Sequence, residues 1–418
     1  MKPSIRMSVS LTQVGLEYGR SNTLECLMPL RVVMVRAHPA DPDVRIEKEA
    51  KTLSKAGYEV TVLAWGRYGK NTLRDEHRSG YTIRRFQFRA PWGVWVVVFL
   101  PFWWVFELIW LLRNKWDIVH SADFDTLIPA LFAAKIKNKP IIYDIFDFYA
   151  DQVPLPGVFR RLLAGLDRYL MCFVDAVIIV DPSRLKQVGR EHDASTVIIY
   201  NSPSDDLKVD VSLQERKASL FNIFYAGVLS QDRDFKSIID ASADFDDVII
   251  EIAGYGYYEG EMEELSTKNA RITYLGPMMY DAVIEKTLQA DLLFALYDPN
   301  VPNNRYASPN KLFEAMMCGK PILVSDGTAM AEIVREEDCG LVVPYGDVDA
   351  IKHAILTLKN DPVLCRRLGE NGRRAYETKY NWKIMEERLL EIYRRLDPAQ
   401  RQAGAIVSSE PHTTRHRL

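Results

Sequence analysis

Ser308-Pro-Asn-Lys-Leu-Phe-Glu-Ala-Met-Met-Cys-Gly-Lys-Pro-Ile-Leu-Val-Ser325 is the stretch of sequence that best indicates the fold. Pro309 closes a polar loop, and residues 311–317 favour a helix. Gly319 ends that helix, and residues 321–325 form an apolar run typical of a buried strand. Loop, helix and buried strand in this order indicate a parallel sheet with crossover helices.

Short apolar runs alternate with helical patterns along both halves of the chain. In the first half a helix is predicted at 44–56, and strands are predicted at 31–36, 59–65, 81–88, 117–120, 140–144 and 176–180. In the second half strands are predicted at 222–226, 248–253, 272–275, 291–296, 321–325 and 340–343. The fold class is therefore α/β, with two doubly wound Rossmann-like domains. Ligands in such sheets lie beyond the carboxyl ends of the strands, so the site is expected in a cleft between the domains.

The polar stretches set the domain boundaries. Residues 1–27 have no secretory signal pattern and are predicted to form a flexible extension. Residues 28–200 form the first domain, 201–217 the linker, and 218–396 the second domain. The polar residues 397–418 are predicted to be a disordered tail.

Composition excludes several classes of protein. Of 418 residues, 48% are hydrophobic and 26% are charged, which is typical of a globular chain rather than a disordered one. The net charge of -3 provides no basic field for nucleic acid. The cysteines show no metal-binding spacing, so we expect reduced thiols and no zinc site. They are Cys26, Cys172, Cys318, Cys339 and Cys365.

A set of motifs spanning roughly residues 30–396 resembles glycosyltransferase family 4, the retaining GT-B transferases. The resemblance implies a GT-B fold and an enzyme of hexosyltransferase type that moves a sugar from a nucleotide-sugar donor to a lipid-linked or glycan acceptor, with retention of configuration. It implies no cofactor, because the nucleotide-sugar is a substrate, and no metal. Besides 308–325, the motifs are 43–65, 117–123, 180–183, Ile199-Tyr-Asn201-Ser, Ala226-Gly227, Ala253-Gly254-Tyr-Gly256, Tyr274-Leu-Gly276 and Tyr380-Asn-Trp382.

The resemblance assigns the donor site to the second domain and to one loop of the first. Glu314 matches the family glutamate that contacts the nucleotide ribose, while the position of a second family glutamate is Tyr306 here. Lys311 and Arg233 are candidates for neutralising the diphosphate, although a loop arginine is often merely solvated. The other donor-binding candidates are Asp43, Arg45, Gly227, Gly254, Ser308, Asn310 and Glu332.

The acceptor side is assigned to the first domain. Catalytic candidates are His120 at a strand end, Asp123 three residues later, and Asp147 after the strand at 140–144. Two histidines that the family often has here are replaced by Ala122 and Phe146. The alternative for His120 is a buried histidine that serves the core.

Residues 92–112 are almost entirely apolar and rich in tryptophan, with Glu107 as their charged residue. The segment approaches the length of a membrane span. The strands predicted before and after this segment must share one sheet, however, and a membrane span between them would place them on opposite sides of the bilayer. We expect a docking surface in the membrane interface, flanked by Arg84, Arg85, Arg89 and Arg113; a core helix is the alternative. The protein is then expected to be cytoplasmic and peripheral on the inner face of the cell membrane.

Three other functions are open to the same sequence. A GT-B epimerase would act on the sugar-nucleotide without an acceptor, and an inactive relative would serve as a membrane-associated scaffold. A dinucleotide-dependent oxidoreductase is disfavoured, because Gly254-Tyr-Gly256 is followed by Tyr257 and has no third glycine at the required spacing.

Overall fold

The computed structural model describes residues 29–397, except 42, 68–72, 92, 153–154, 191–192, 194 and 205–219. The predicted extension 1–27, most of the linker 201–217, and the tail after Asp397 lie outside the described residues.

The first domain is built on a sheet of eight strands in the order β3-β4-β2-β1-β5-β6-β7-β8. All neighbours are parallel except β3 and β4, which are antiparallel. The strands are β1 (Arg31–Arg36), β2 (Glu59–Trp65), β3 (Asp75–Arg78), β4 (Tyr81–Phe86), β5 (Ile118–Ala122), β6 (Ile141–Ile145), β7 (Ala176–Ile179) and β8 (Thr196–Ile198). The helices are α1 (Val44–Lys55), α2 (Val96–Arg113), α3 (Phe124–Lys137), α4 (Tyr149–Gln152), α5 (Gly157–Met171) and α6 (Arg184–Val188).

The second domain has a six-stranded parallel sheet in the order β11-β10-β9-β12-β13-β14. Its strands are β9 (Phe221–Leu229), β10 (Val248–Gly256), β11 (Ile272–Gly276), β12 (Leu292–Ala295), β13 (Ile322–Ser325) and β14 (Gly340–Val343). Its helices are α7 (Phe235–Ser242), α8 (Glu259–Lys268), α9 (Tyr280–Gln289), α10 (Pro302–Arg305), α11 (Asn310–Met317), α12 (Ala329–Glu337), α13 (Val348–Asn360) and α14 (Pro362–Ala375). A π-helical turn, Tyr376–Tyr380, leads into α15 (Trp382–Leu396).

The two predicted Rossmann-like domains are confirmed, but two edge strands were missed. β3 reads Asp-Glu-His-Arg and has no apolar alternation, because it lies at the exposed edge of the first sheet. β8 has three residues and forms the opposite edge. Edge strands are often short or rich in charged side chains, which discourages pairing with another chain and leaves little apolar alternation to recognise.

Helix α15 returns to the first domain. Its apolar face, including Met385 and Leu389, packs with Ile46 of α1 against one face of the first sheet. Thr52 of α1 also donates a hydrogen bond to Glu386, at 2.8 Å. By packing, the end of the range 218–396 therefore belongs to the first domain rather than the second.

Helix α2 is the one helix in the described part of the chain that is long and apolar enough to cross a membrane, judged by length and composition. It nevertheless connects β4 to β5 within one sheet. Leu100, Trp103 and Leu111 are buried along one side of it, in the core shared with α3 and α5. The opposite side is exposed. The helix thus covers the sheet with one face and leaves an apolar face open.

Candidate active site

The start of α11 presents buried polar atoms that have no partner in the part of the chain that the structure describes. Pro309 precedes the helix, and no side chain caps its first turn. The Ser308 Oγ and Asn310 Oδ1 atoms are buried and have no hydrogen-bond partner among the described residues. Buried polar groups are normally hydrogen-bonded, so a pair left unpaired at a helix N-terminus indicates a place for a ligand.

Two glycines open the space in front of this helix. Gly227 lies near the end of β9 and has φ +148°. A Cβ at this position would lie 3.0 Å from Lys311 Nζ. Gly254, its partner on β10, has φ +139°, and a Cβ there would lie 1.8 Å from the Gly227 carbonyl oxygen. A side chain at Gly227 would close the approach to the Lys311 ammonium, and one at Gly254 would collide with the Gly227 backbone. These glycines therefore allow a ligand to approach the backbone closely.

Two cations meet at the ring of Tyr297. Lys311 Nζ donates to the Tyr297 hydroxyl at 3.0 Å, and the Arg233 guanidinium stacks 3.4 Å from the ring centroid. Burial opposes ionisation of the tyrosine, but Lys311 and Arg233 together lower its pKa. Burial also disfavours the Lys311 ammonium, yet Tyr225 and Tyr297 raise its pKa, so the lysine is charged. The result is a concentrated positive field beside the start of α11.

Arg233 and Lys311 differ in whether a carboxylate of the protein neutralises their charge. Arg233 pairs with the Asp232 carboxylate and donates to Asn304 Oδ1 at 3.0 Å. Within the described residues, no carboxylate lies within ion-pair distance of Lys311. Lys311 is therefore the cation that is available to a phosphate, whereas Arg233 must exchange a partner or act through Tyr297.

Glu314 lies one helical turn after Lys311 and is 7% exposed. Burial raises the pKa of its carboxyl, and Lys311, Lys48 and Tyr280 act in the opposite direction. Lys48 belongs to α1 of the first domain and donates to the Ser202 carbonyl, where the chain leaves that domain. The carboxylate thus faces the interdomain cleft. Tyr306, at the position of the second family glutamate, is half-buried in the loop before α11.

Glu332 lies in the first turn of α12 and is exposed. Burial raises the pKa of Asp181, in the first domain, and Glu332 contributes to the same shift. Glu332 therefore faces the first domain across the cleft. The two domains also touch directly, through a 3.5 Å hydrogen bond from Arg184 to Asn303.

Asp123 and Asp147 come together at the carboxyl edge of the first sheet. Asp123 has φ +65° and accepts the backbone N–H groups of Phe146, at 3.0 Å, and Asp147, at 3.4 Å. Its carboxylate also pairs with Arg36. Burial raises the pKa of Asp123 to about 7, against the effect of Arg36. Asp147 is one-third exposed and accepts from Arg184 at 2.8 Å, so it is the acid open to an acceptor.

His120 does not face the cleft. It is 0% exposed, its Nδ1 lies 2.7 Å from the Tyr393 hydroxyl of α15, and its Nε2 lies 3.5 Å from Asp144. The catalytic assignment of His120 is therefore wrong for this structure, and the alternative of a core histidine holds. The error arose because α15, which covers the histidine, comes from the far end of the chain.

Arg45 and Asp43 also have structural partners. Arg45 is buried, contacts both Asp144 oxygens at 2.9 and 3.0 Å, and donates to the Ile199 carbonyl. Asp43 caps α1 by accepting from Ile46 N at 3.2 Å, and it pairs with Arg36. Arg45 therefore lies in the core rather than on the donor phosphates, and Asp43 orders the loop that faces the cleft.

Among the described residues, Glu49, His120 and Asp144 form a group with ligand atoms within 4.8 Å of one another. Arg45 already binds Asp144 and lies 3.2 Å from Glu49. A guanidinium supplies the positive charge that these buried carboxylates need, and it competes with any cation for their oxygens. We interpret the group as a buried ion-pair network.

Sequence reasoning missed Tyr297 and Lys48. Both act through tertiary contacts: Tyr297 joins Lys311 to Arg233, and Lys48 lies over the Trp382 ring at 4.6 Å beside the linker. The only sequence signal for Tyr297 is its place directly after the strand predicted at 291–296. Lys48 gave no signal beyond that of an ordinary helix lysine.

Two family models match the chain, one on each domain. The glycosyl transferase 4-like domain matches residues 42–198, and the glycosyl transferases group 1 model matches residues 214–375. The chain belongs to glycosyltransferase family 4. This family 4 glycosyltransferase therefore carries its nucleotide-sugar donor site in a GT-B fold, and the resemblance seen in the sequence is confirmed.

A curated relative supports the same assignment. The phosphatidyl-myo-inositol mannosyltransferase of Mycobacterium leprae is 22% identical over 289 residues, which cover 68% of this chain and 75% of the relative. Solved structures share the fold of this family 4 glycosyltransferase. Sucrose-phosphate synthase from Thermosynechococcus elongatus has a TM-score of 0.72 at 18% identity, covering 88% of this chain and all of that one. HepE of Anabaena, determined with UDP and glucose, has a TM-score of 0.65 at 16% identity, covering 87% and 98%.

Proposed function

We propose that this enzyme transfers a sugar from a nucleotide-sugar to a lipid-linked or glycan acceptor with retention of anomeric configuration. The observation that carries the proposal is the start of α11, where Lys311 has no carboxylate within ion-pair distance among the described residues and Ser308 and Asn310 are unpaired. The curated relative is named for a phosphatidylinositol acceptor, and HepE was determined with UDP and glucose. The relative favours a lipid acceptor, and HepE favours a nucleotide-sugar donor.

In the proposed mechanism the donor diphosphate lies against the first turn of α11. Its bond to the sugar breaks while the acceptor hydroxyl oxygen forms a bond to the anomeric carbon from the same face, and the hydroxyl proton passes to the departing phosphate oxygen. Lys311, the helix N-terminus and, through Tyr297, Arg233 stabilise the charge that develops on the leaving diphosphate. The protein residues that provide this stabilisation are already positioned, so little reorganisation is needed. We propose that the reaction proceeds without a metal or a cofactor.

We propose that the acceptor enters from the first domain, beside Asp147 and Asp123. Asp147 is the more exposed of the two and can accept a hydrogen bond from a sugar or polyol hydroxyl. Glu332 and Arg184 line the facing sides of the cleft. Closing the domains around both substrates would exclude water and limit hydrolysis of the donor.

We propose that the enzyme is peripheral on the cytoplasmic face of the membrane and docks through α2. Phe102, Val105 and Ile109 are exposed on its outer side, and Arg113 follows at its end. The tryptophans contribute less to the membrane-facing surface than the sequence predicts. Trp103 is fully buried against Trp65, and Trp104 donates to the Asp125 carbonyl at 2.9 Å. Arg85 is likewise buried, so it does not meet head groups.

The test of the function is a donor screen followed by a transfer assay. Thermal-shift measurements with UDP-, GDP-, ADP- and CMP-sugars identify the donor by the stabilisation that binding produces. The selected donor, labelled in its sugar, is then incubated with vesicles of phosphatidylinositol, and the label in the lipid fraction is measured. We expect lipid-bound label with the α-anomer retained from an α-linked donor. Release of an epimerised sugar-nucleotide without an acceptor would instead identify an epimerase.

A further inference from the structure

Helix α5 has a stripe of large apolar side chains on the side that faces away from the core. Asp167 and Met171 are its buried residues, and Leu163, Ala164 and Leu170 pack partly on the core. Five large apolar side chains that point away from the core are between 44% and 65% exposed. They are Val158, Phe159, Leu162, Leu166 and Tyr169.

The inner side of α5 carries one buried polar contact among its apolar ones. The Asp167 carboxylate, although 0% exposed, accepts a hydrogen bond from the Tyr143 hydroxyl of β6 at 3.0 Å. This bond fixes the rotation of the helix about its axis. Turning the stripe inward would expose that pair and leave Tyr143 without its acceptor.

On α2, α3 and α5 the acidic residues lie toward the core and the basic residues lie toward the outside. Their three acids are Glu107, Asp125 and Asp167, of which Glu107 and Asp167 are 0% exposed and Asp125 is half-buried. The basic residues are exposed, apart from the half-buried Lys137. They are Arg113, Lys135, Lys137, Arg160, Arg161 and Arg168. The outer face of these helices is therefore apolar and positive.

The three helices cover the same face of the first sheet. Leu100 and Trp103 of α2, Leu127 of α3 and Met171 of α5 belong to one core, opposite the face covered by α1 and α15. Phe132 and Ile136 of α3 add further exposed apolar area. The stripe of α5 is thus on the side of the molecule that carries the exposed face of α2.

We propose that α5 is a second membrane-contacting helix, which inserts its apolar stripe into the interface of an anionic bilayer. This inference rests on the membrane docking proposed for α2 and extends it to the whole helical face. A lipid surface fits better than a protein partner, because the outer face is positive and apolar, as interfacial helices on anionic lipid are.

Two helices on one face have a geometric consequence. A single interfacial helix can roll about its axis, whereas two helices separated by α3 define a plane. With both in the interface, the first sheet lies along the bilayer, and its carboxyl edge, which holds Asp123 and Asp147, opens beside the lipid surface. The second helix thereby orients the acceptor side of the cleft.

Vesicle flotation of the full chain tests α5 separately from α2. The probe is vesicles of equal parts phosphatidylcholine and phosphatidylglycerol, with pure phosphatidylcholine for comparison. The variant is Phe159→Ser, Leu162→Ser and Leu166→Ser together, with α2 unchanged. We expect vesicle affinity to fall by at least about tenfold, because three apolar side chains no longer enter the interface. Arg160→Gln with Arg161→Gln should lower the preference for phosphatidylglycerol, and added salt should reduce it in the wild type.

The matched control is Val363→Ser on α14, which removes an exposed apolar side chain from the second domain and should leave vesicle binding unchanged. The thermal stabilisation that donor nucleotide gives to each variant should equal that of the wild type. This result would verify that the variants are folded and keep the donor site. Wild-type vesicle affinity in the α5 variant would overturn the proposal. A wild-type dimer that the variant converts to a monomer, with vesicle binding unchanged, would also overturn it and assign the stripe to a second copy. Absence of vesicle binding by the wild type would reject docking but not the donor function.

Discussion

Glu314 is the acid that we expect to hold the donor ribose. It is buried beside Lys311, and burial raises its pKa, so a hydrogen-bonded diol would replace the water that it loses on folding. Glu314→Ala should weaken nucleotide-sugar binding by about 1–3 kcal/mol, the range for hydrogen bonds to charged groups. Calorimetry measures the change, with Val363→Ser on α14 as a comparison whose donor affinity should equal that of the wild type. Donor affinity equal to that of the wild type would remove Glu314 from the site.

At the scale of single residues, the donor-side candidates are neighbours in the sequence, whereas the surroundings of the acceptor-side candidates depend on distant parts of the chain. Ser308, Asn310, Lys311 and Glu314 lie within one loop and two helical turns, so local pattern sufficed to bring them together. His120 was misplaced because its environment depends on Tyr393, 273 positions further along the chain.

The outer face of α2 is the element that we expect to hold the enzyme at a membrane. Replacing Phe102, Val105 and Ile109 with Ser should lower vesicle affinity by at least about tenfold, since these side chains are exposed and not part of the core. Flotation with anionic vesicles measures it, with Val363→Ser as the control. Unaltered flotation in a folded triple variant would assign α2 to packing alone.

Asp167 anchors α5 and should make stability depend on pH. Burial raises its pKa to about 7, with the Tyr143 hydrogen bond acting in the opposite direction. The folded state therefore holds a proton that the unfolded chain releases near pH 4. Its stabilising effect is complete below about pH 4 and is lost as pH rises through about 7.

In Asp167→Asn the amide oxygen still accepts from Tyr143 but cannot ionise. The unfolding free energy of the variant should fall less than that of the wild type between about pH 4 and about pH 8, by on the order of 4 kcal/mol. Urea denaturation across this range measures the difference. Parallel pH curves for the two proteins would show that Asp167 keeps an ordinary pKa.

Comparison of the predicted and observed elements shows which of them the sequence patterns could predict. The strands of both sheet centres were predicted to within a few residues, since buried parallel strands are continuous apolar runs. The apolar segment 92–112 was recognised, but not the direction in which Trp103 points. That direction depends on contact with Trp65 of β2, which a linear pattern does not contain.

On the scale of the whole molecule, α15 ties the end of the chain to the first domain. Leu389 is fully buried against the first sheet, so Leu389→Ala should cost about 2–5 kcal/mol of stability. Chemical denaturation measures it, and the exposed Arg395→Ala on the same helix should cost little. A loss below about 1 kcal/mol would mean that α15 is not part of the first domain's core. Sequence order alone placed this helix in the second domain, because chain continuity does not reveal packing.

Lys311→Met asks whether the start of α11 activates a nucleotide-sugar for transfer to a lipid acceptor. The measurement is the rate at which labelled sugar passes from the selected donor into phosphatidylinositol vesicles, for wild type and variant at equal folded concentration. We predict transfer by the wild type and a rate at least about tenfold lower in the variant, equivalent to about 1.4 kcal/mol of barrier, because the leaving diphosphate loses the charge of the Lys311 ammonium. Transfer by Lys311→Met at the wild-type rate would show that Lys311 does not stabilise the leaving diphosphate.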